Sequence, residues 1–439
     1  MKSDRGLPVA IIGGGFSGTM LAAQLARRGI ASVLIDGSGR MGRGVAYSTT
    51  EGAHLLNVRT EEMSAWSGES EHFARSFAPG DHDPRGFAER RQFGRYLGTI
   101  LDEAVASGKA TPVQASAIGA ARSGPGWRVD LDTGESVEAA AVALALGNQQ
   151  PEALRALAGA GPRFIADPWA ADSRAAVADL ARTGEAALLV GTGLTMVDLV
   201  LSLNSAGHRG HIVALSRRGL VPRSHADVDP APVEREAIPF GNLRGLVRWI
   251  RLTSAQVGWR AAIDSLRPHS QPLWQSLGND QQRRFLRHAR PWWDVHRHRI
   301  APEVGHLIAQ LVGEGRLQII AGRITGASAS GLGLDIAFQR RGEGTVRTES
   351  FAYAFNCTGP LHLIARTRDR LLRSLLDSGE IRPDGLGIGL DVDGQARAGA
   401  RLWALGPLTK GRYWEIVAVP DIREQAAAVA KDIETELGR

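Results

Sequence analysis

Gly13, Gly15 and Gly18 fall in a G-x-G-x-x-G spacing directly after the apolar run Val9-Ala10-Ile11-Ile12. Glycines at this spacing suit one chemical task, holding a pyrophosphate. Gly13 permits a tight turn, Gly15 lets backbone approach a phosphate, and Gly18 lets the following helix pack closely on the strand. Phe16 and Ser17 open that helix, whose free N–H groups and positive dipole end favour an anion. Leu21, Ala22, Leu25 and Ala26 recur on one helical face, and a second β-branched run over residues 31–35 ends at Asp36. Asp36, 18 residues past Gly18, is placed to accept bonds from a ribose hydroxyl pair. Strand, glycines, helix, second strand and acid in that order supply the context that a lone glycine motif lacks.

A second such unit begins at Ala187-Leu188-Leu189-Val190-Gly191-Thr192-Gly193-Leu194-Thr195-Met196. Here Met196 replaces the third glycine, so helix and strand must pack less closely. The next strand, residues 211–215, leads into Ser216-Arg217-Arg218. The first unit has an acid at this place. Two arginines suit the 2′-phosphate of NADP, and a basic surface turn is the alternative.

These units must be carried by a chain of 439 residues, long enough for two or three domains with ample cores. Apolar content of 43% and charged content of 22% are ordinary for a soluble globular protein. No stretch approaches the ~20 apolar residues of a membrane span, and the polar start has no signal-peptide character, so the expected location is cytoplasmic. The single cysteine, Cys357, excludes an intrachain disulfide and a C-x-x-C redox pair, and its apolar strand predicts a packed core thiol. The net charge is +6 and nearly all of the basic residues are Arg, with four Lys (Lys2, Lys109, Lys410, Lys431). The basic residues are dispersed and form no recognition motif, so nucleic acid is not the expected partner. His296 and His298, two apart and flanked by arginines, do not suit a metal site.

Between the motifs, residues 37–47 are too glycine-rich for a helix and read as a loop past the nucleotide, where Arg43 could meet a phosphate. Residues 87–107 carry Phe93, Tyr96, Leu97, Ile100 and Leu101 at helical spacing. A strand at 142–146 ends in Gly147-Asn148, and the Ala/Gly-rich run from Pro151 to Pro162 suits a linker. From about 225 to 312 the strand–helix rhythm gives way to Trp-containing helical patterns, which read as an insertion over the nucleotide sites.

The N-terminal glycine motif, the loop to Tyr47 and the segment Leu56-Asn57…Met63-Ser64 resemble flavoproteins with two dinucleotide-binding domains. The closest resemblance is to the YdhS-type FAD/NAD(P)-binding proteins, and more distantly to the class B flavin monooxygenases. That resemblance implies that Asn57 faces the isoalloxazine. It matches Gly191, Gly193 and Thr195, with Asp198, to a G-x-G-x-[ST]-x-x-[DE] pyridine-nucleotide motif. It brings Gly406, Trp414 and Glu415 to the flavin, although Gly406-Pro407 lacks the acid that related proteins carry there. It also places the N-terminus of a last helix, with Pro420 and Asp421, at the flavin's pyrimidine edge. Residues 164–169 depart from the pattern: they lack the Gly- and His-containing fingerprint of N-hydroxylating and Baeyer–Villiger enzymes.

The expectation is an α/β protein with two Rossmann-like dinucleotide-binding domains: an FAD domain over 1–165 and 350–439, and an NADP domain over 166–349 that contains the helical insertion. The resemblance implies that NADPH reduces the flavin, that O₂ forms a C4a-hydroperoxide on it, and that one oxygen passes to a small-molecule substrate. A reductase or dehydrogenase that never oxygenates, and a nucleotide-binding sensor without turnover, are the alternatives.

Overall fold

The computed structural model describes residues 6–77, 83–331 and 333–438. The extreme N-terminus, residues 1–5, on which the reading of a signal-free start partly rests, lies outside them. The strands in chain order are β1 (Val9–Ile12), β2 (Ser32–Ile35), β3 (Ala110–Val113), β4 (Ala117–Ser123), β5 (Gly126–Leu131), β6 (Ser136–Ala139), β7 (Ala141–Leu144), β8 (Phe164–Ile165), β9 (Ala187–Val190), β10 (Ile212–Ser216), β11 (Leu317–Ser330), β12 (Gly333–Arg340), β13 (Val346–Phe351), β14 (Tyr353–Asn356), β15 (Arg397–Gly399) and β16 (Leu402–Ala404).

The first sheet has the order β15-β16-β7-β1-β2-β3 and is parallel from β16 to β3. Its central strands are apolar on both faces because both are covered. Val9, Ile11, Ala141 and Ala143 pack beneath the helices Phe16–Arg27 and Val419–Leu437. Ala10, Ile12, Val142 and Leu144 face the other way, onto Trp127, Val129 and Leu372 of the layer that includes the antiparallel sheet β4-β5-β6. The predicted helix is observed as Arg90–Ala106, opened by a capping box between Glu89 and Gln92. Within the segment read as a loop, residues Gly44–Tyr47 form one short helical turn.

The second sheet has the order β13-β12-β11-β10-β9-β14-β8, parallel from β11 to β8 and antiparallel from β11 to β13. Helix Leu194–Ser205 covers one face, on Ala187, Leu189, Ile212 and Ala214. The antiparallel strands curl over the other, where Leu334, Ile336 and Phe338 meet Leu188, Val213 and Leu215. The strand pairings move both expected domain boundaries. β8 and β14 pair with each other, and β14 pairs with β9, so residues 164–165 and 353–356 belong to the second sheet and not to the first. The insertion is also shorter than expected. Helix Pro302–Gly313 buries Val304, Ile308 and Leu311 in the second sheet's core and serves as its crossover into β11. The helices from Leu243–Val257 to Arg290–Arg297 form the insertion proper, with a small core of Ile238, Leu246, Leu266 and Leu273.

Both sheets are thus doubly covered parallel cores with glycine turns at the carboxyl ends of β1 and β9, an α/β architecture of Rossmann type. Among the described residues no helix is long and apolar enough to cross a membrane.

Candidate functional site

At the first turn Gly13 has φ +107°, and a Cβ there would lie 2.4 Å from the Ala145 carbonyl oxygen. The turn therefore runs against the end of β7, which only glycine permits. Helix Phe16–Arg27 begins with no side-chain cap and no acid in its first turn, so the first N–H groups are left for an outside acceptor. A Cβ on Gly44 would come within 2.9 Å of the Gly15 Cα, so the loop after β2 closes tightly over the glycines. An uncapped helix start beneath a side-chain-free cradle fits a dinucleotide pyrophosphate. Asp36, at the end of β2, holds this turn: its Oδ2 accepts from the Gly14 N–H at 2.6 Å and its Oδ1 from the Ser38 N–H at 2.7 Å. A carboxylate has further lone pairs to offer, so the bonds to the turn leave it capacity for hydroxyl donors. Arg43 is exposed beside Gly44 and forms no ion pair among the described residues.

The second turn repeats the first. Gly191 has φ +121°, and its Cβ would lie 2.2 Å from the Cys357 carbonyl at the end of β14. Helix Leu194–Ser205 starts at Gly193 with neither cap nor acid. Thr195 is half-buried in its first turn, and Met196, in the third glycine's place, is fully buried. Arg217 and Arg218 follow β10 directly. Cys357 is 3% exposed, and burial pushes its thiol far up, as expected of a packed core group.

The two units are joined by contacts that sequence spacing does not reveal. Arg90, at the start of its helix, forms a two-pronged pair with Asp198, at 2.8 and 2.9 Å. Both side chains are nearly buried, 11% and 8% exposed. His54 Nε2 lies 3.1 Å from both the Asp198 carbonyl and Ser202 Oγ. Asn57 lies just beyond this seam. Its carbonyl is 3.1 Å from His225 Nε2, and its side-chain amide bonds to nothing among the described residues. Burial, then Arg299, pushes His225 down to about 4, so at neutral pH the ring is uncharged and donates to Asn57 from Nε2.

The C-terminal candidates divide. Gly406 sits against the first turn: a Cβ on it would lie 2.8 Å from Ser17 Oγ, and its N–H donates to Gln425 Oε1 at 2.7 Å. Trp414 and Glu415, expected at the cofactor, also contact the helical insertion, and the buried Trp414 indole N–H has no hydrogen-bond partner among the described residues. Glu415, at φ +68°, is 8% exposed and accepts from Trp293 Nε1 at 2.5 Å and Arg297 Nε at 3.0 Å. Each of its oxygens thereby accepts one bond and keeps a further lone pair. The Trp414 ring stacks on Trp274 at 4.6 Å between centroids. The last helix is Val419–Leu437, with Pro420 and Asp421 in its first turn as read.

Lys410 is a further charged group at this end of the first sheet. Its Nζ donates to Asn148 Oδ1 at 3.1 Å, beyond the end of β7, and burial, with Arg290 nearby, pushes it down to about 8. Its rarity as one of four lysines in an arginine-rich chain was the available signal. A cavity of about 740 Å³ opens between the insertion and the last helix, lined among others by Glu61, Arg267, Gln271, Tyr413, Asp421 and Arg423. No group of three or more His, Cys, Asp or Glu able to hold a metal ion occurs among the described residues.

A protein-family model described as FAD-NAD(P)-binding matches residues 10–149, which contain the first glycine turn, Asp36 and Asn57. No curated protein matches the chain. Among solved structures, L-lysine 6-monooxygenase from Pseudomonas syringae is 17% identical, with a TM-score of 0.69 over 98% of this chain and 99% of its own. Ornithine hydroxylase (PvdA) from Pseudomonas aeruginosa is 15% identical, with a TM-score of 0.66 over 98% and 99%. Thioredoxin reductase from Lactococcus lactis is 13% identical, with a TM-score of 0.54 over the same shares. The chain shares its two-unit Rossmann-like fold with these structures over nearly its full length.

Proposed function

We propose that the protein is a cytoplasmic, NADPH-dependent FAD oxidoreductase that oxygenates a small molecule, allied to the YdhS-type proteins and the class B flavin monooxygenases. The observation that carries this reading is the doubled glycine turn, with an acid after the second strand of one unit and two arginines after that of the other. Gly13, Gly15, Phe16, Ser17, Gly18 and Asp36, with Arg43 and Gly406 beside them, hold FAD. Gly191, Gly193, Thr195, Arg217 and Arg218 hold NADPH. FAD when bound supplies hydride acceptance and oxygen activation. The chain's own residues bind and orient the two nucleotides and keep water out between the units. Asn57, its carbonyl held by neutral His225, offers a free amide to the reacting edge. The 740 Å³ cavity has room for a small substrate against the insertion. Buried Cys357 supports no thiol relay.

The purified protein is expected to be yellow, and stopped-flow reduction of its flavin to be faster with NADPH than with NADH. The double variant Arg217→Ala/Arg218→Ala is expected to weaken NADPH on the order of ten- to a hundred-fold and leave NADH nearly unchanged, since a hydrogen bond to a charged group contributes about 1.5–3 kcal/mol. Equal reduction of the wild type by both nucleotides assigns the arginines to a solvated turn. Asn57→Ala is expected to keep its flavin and to release more peroxide per NADPH oxidised. Unchanged coupling removes Asn57 from the chemistry.

The absence of the Gly/His fingerprint at residues 164–169 favours a second reading, a reductase that does not oxygenate. Peroxide released for every NADPH consumed, whatever small molecule is added, selects it.

A further inference from the structure

Beyond β10 lies a cleft of about 330 Å³ lined by Arg217, Arg218, Arg287, His288 and Arg341. Three separate segments meet there. Arg217 and Arg218 follow β10. Arg341 follows β12, and its N–H donates to the Ala321 carbonyl at 2.8 Å; Ala321 is the partner of Ser216 in the β10–β11 ladder, which brings Arg341 beside the end of β10. Arg287 and His288 come from the π-helical turn Phe285–Ala289 of the insertion. A π turn widens the helix by one residue and is a common local feature of ligand sites. This one is held in place by its flanks: Arg283 Nη2 donates to the Gly385 carbonyl at 2.9 Å, and Arg290 Nη1 lies 3.3 Å from His362 Nδ1.

The cleft has no acid in its lining. Arg217, Arg218, Arg287 and Arg341 form neither an ion pair nor a side-chain hydrogen bond among the described residues, whereas Arg283 and Arg290 on either side of the π turn are both paired with carboxylates. Positive charge gathered here is felt nearby: burial, then Arg290, Lys410 and Arg217, pushes His362 down to about 4. Four unpaired guanidinium groups around one small space repel one another until an anion fills it. Their planar forks match the three oxygens of a terminal phosphate better than the single charge of a bridging phosphate.

We infer that the π turn of the insertion completes a phosphomonoester site, in which Arg287, His288 and Arg341 join Arg217 and Arg218 around the 2′-phosphate of an adenosine nucleotide. This rests on the NADPH reading above and extends it: the insertion grips the nucleotide and does not only shelter a substrate. Arg287 and Arg341 are positioning residues for the nucleotide, and both are exposed.

Calorimetric titration of the purified protein with adenosine 2′,5′-bisphosphate and with 5′-AMP tests this. The bisphosphate is expected to bind more tightly than 5′-AMP to the wild type. Arg287→Ala and Arg341→Ala are each expected to weaken the bisphosphate by about ten-fold, one charge-assisted contact, and to leave 5′-AMP unchanged. Added salt is expected to weaken the bisphosphate less steeply in the variants than in the wild type. Unaltered thermal unfolding and visible spectra accompany this result. If both single variants bind the bisphosphate as the wild type does while Arg217→Ala/Arg218→Ala loses it, the insertion plays no part and the NADPH reading stands. If the wild type itself shows no preference for the bisphosphate, the NADPH reading fails, and this inference with it.

Discussion

Asp198→Ala is expected to destabilise the protein by about 3–5 kcal/mol, the usual consequence of removing one partner from a buried ion pair. Arg90 and Asp198 meet through two bonds at 2.8 and 2.9 Å with little solvent access, so the guanidinium left behind keeps its burial and loses its counter-charge. The Arg90 Nε bond to the Leu55 carbonyl at 2.9 Å remains, and it is too little to compensate. Denaturant unfolding of the purified protein measures the loss. The charge-free double variant Arg90→Met/Asp198→Leu is expected to recover most of it, because two apolar groups of similar bulk carry no desolvation penalty. A loss below about 1 kcal/mol for the single variant is the behaviour of a solvent-screened surface pair, and means that water reaches the seam. Because the pair ties the first turn of helix Arg90–Ala106 to helix Leu194–Ser205, proposed above to hold NADPH, its loss is also expected to slow flavin reduction by NADPH more than it weakens flavin retention.

Gly18→Ala is expected to yield protein with little or no bound flavin. The added Cβ would lie 1.9 Å from the Gly13 carbonyl oxygen and 3.3 Å from Ile11 Cγ2, and the first of these is backbone of the first glycine turn itself. Relief requires the helix to lift off the strand, at on the order of 1–3 kcal/mol for overpacking or more, and that movement takes the helix N-terminus away from its ligand. Flavin absorbance per chain after purification measures the outcome. Gly193→Ala is the contrasting control in the second unit: nothing lies within 4 Å of its Cβ, so the variant is expected to fold and to stay yellow. Full flavin occupancy in Gly18→Ala means that the turn relaxes without disturbing the site, and that close packing there is not what the glycine serves.

The glycine turns, the strands feeding them and the acid–arginine contrast were all legible in the sequence, because each depends on neighbours within about thirty residues. A buried parallel strand announces itself by unbroken apolar residues, and a phosphate turn by glycines that no side chain can replace. What was not legible is long-range. Asp198 reads as part of a nucleotide motif, yet its carboxylate is spent on Arg90, 108 positions away. Glu415 and Trp414 lie where the resemblance puts cofactor contacts, and they also meet Trp293, Arg297 and Trp274 of the insertion, because no periodicity encodes which partner a side chain finds. The strand near residue 353 is illegible for a related reason: apolar β14 suits either sheet, and only its pairing with β9 decides. Arg341 and the π turn carry no signal of their own; they matter through what stands beside them.

The first sheet is completed only by residues from the far end of the chain. β7 is apolar on both faces, and its outer edge pairs with β16, which follows it by more than 250 positions. During synthesis the amino-terminal unit emerges first, with that edge bare, while the ribosome still has the whole second sheet and the insertion to make. A bare, flat, apolar strand edge is a template for pairing with other chains. A chain that stalls between β14 and β16 is therefore left with a half-sheet whose β7 edge is open to another chain's strand until β16 arrives.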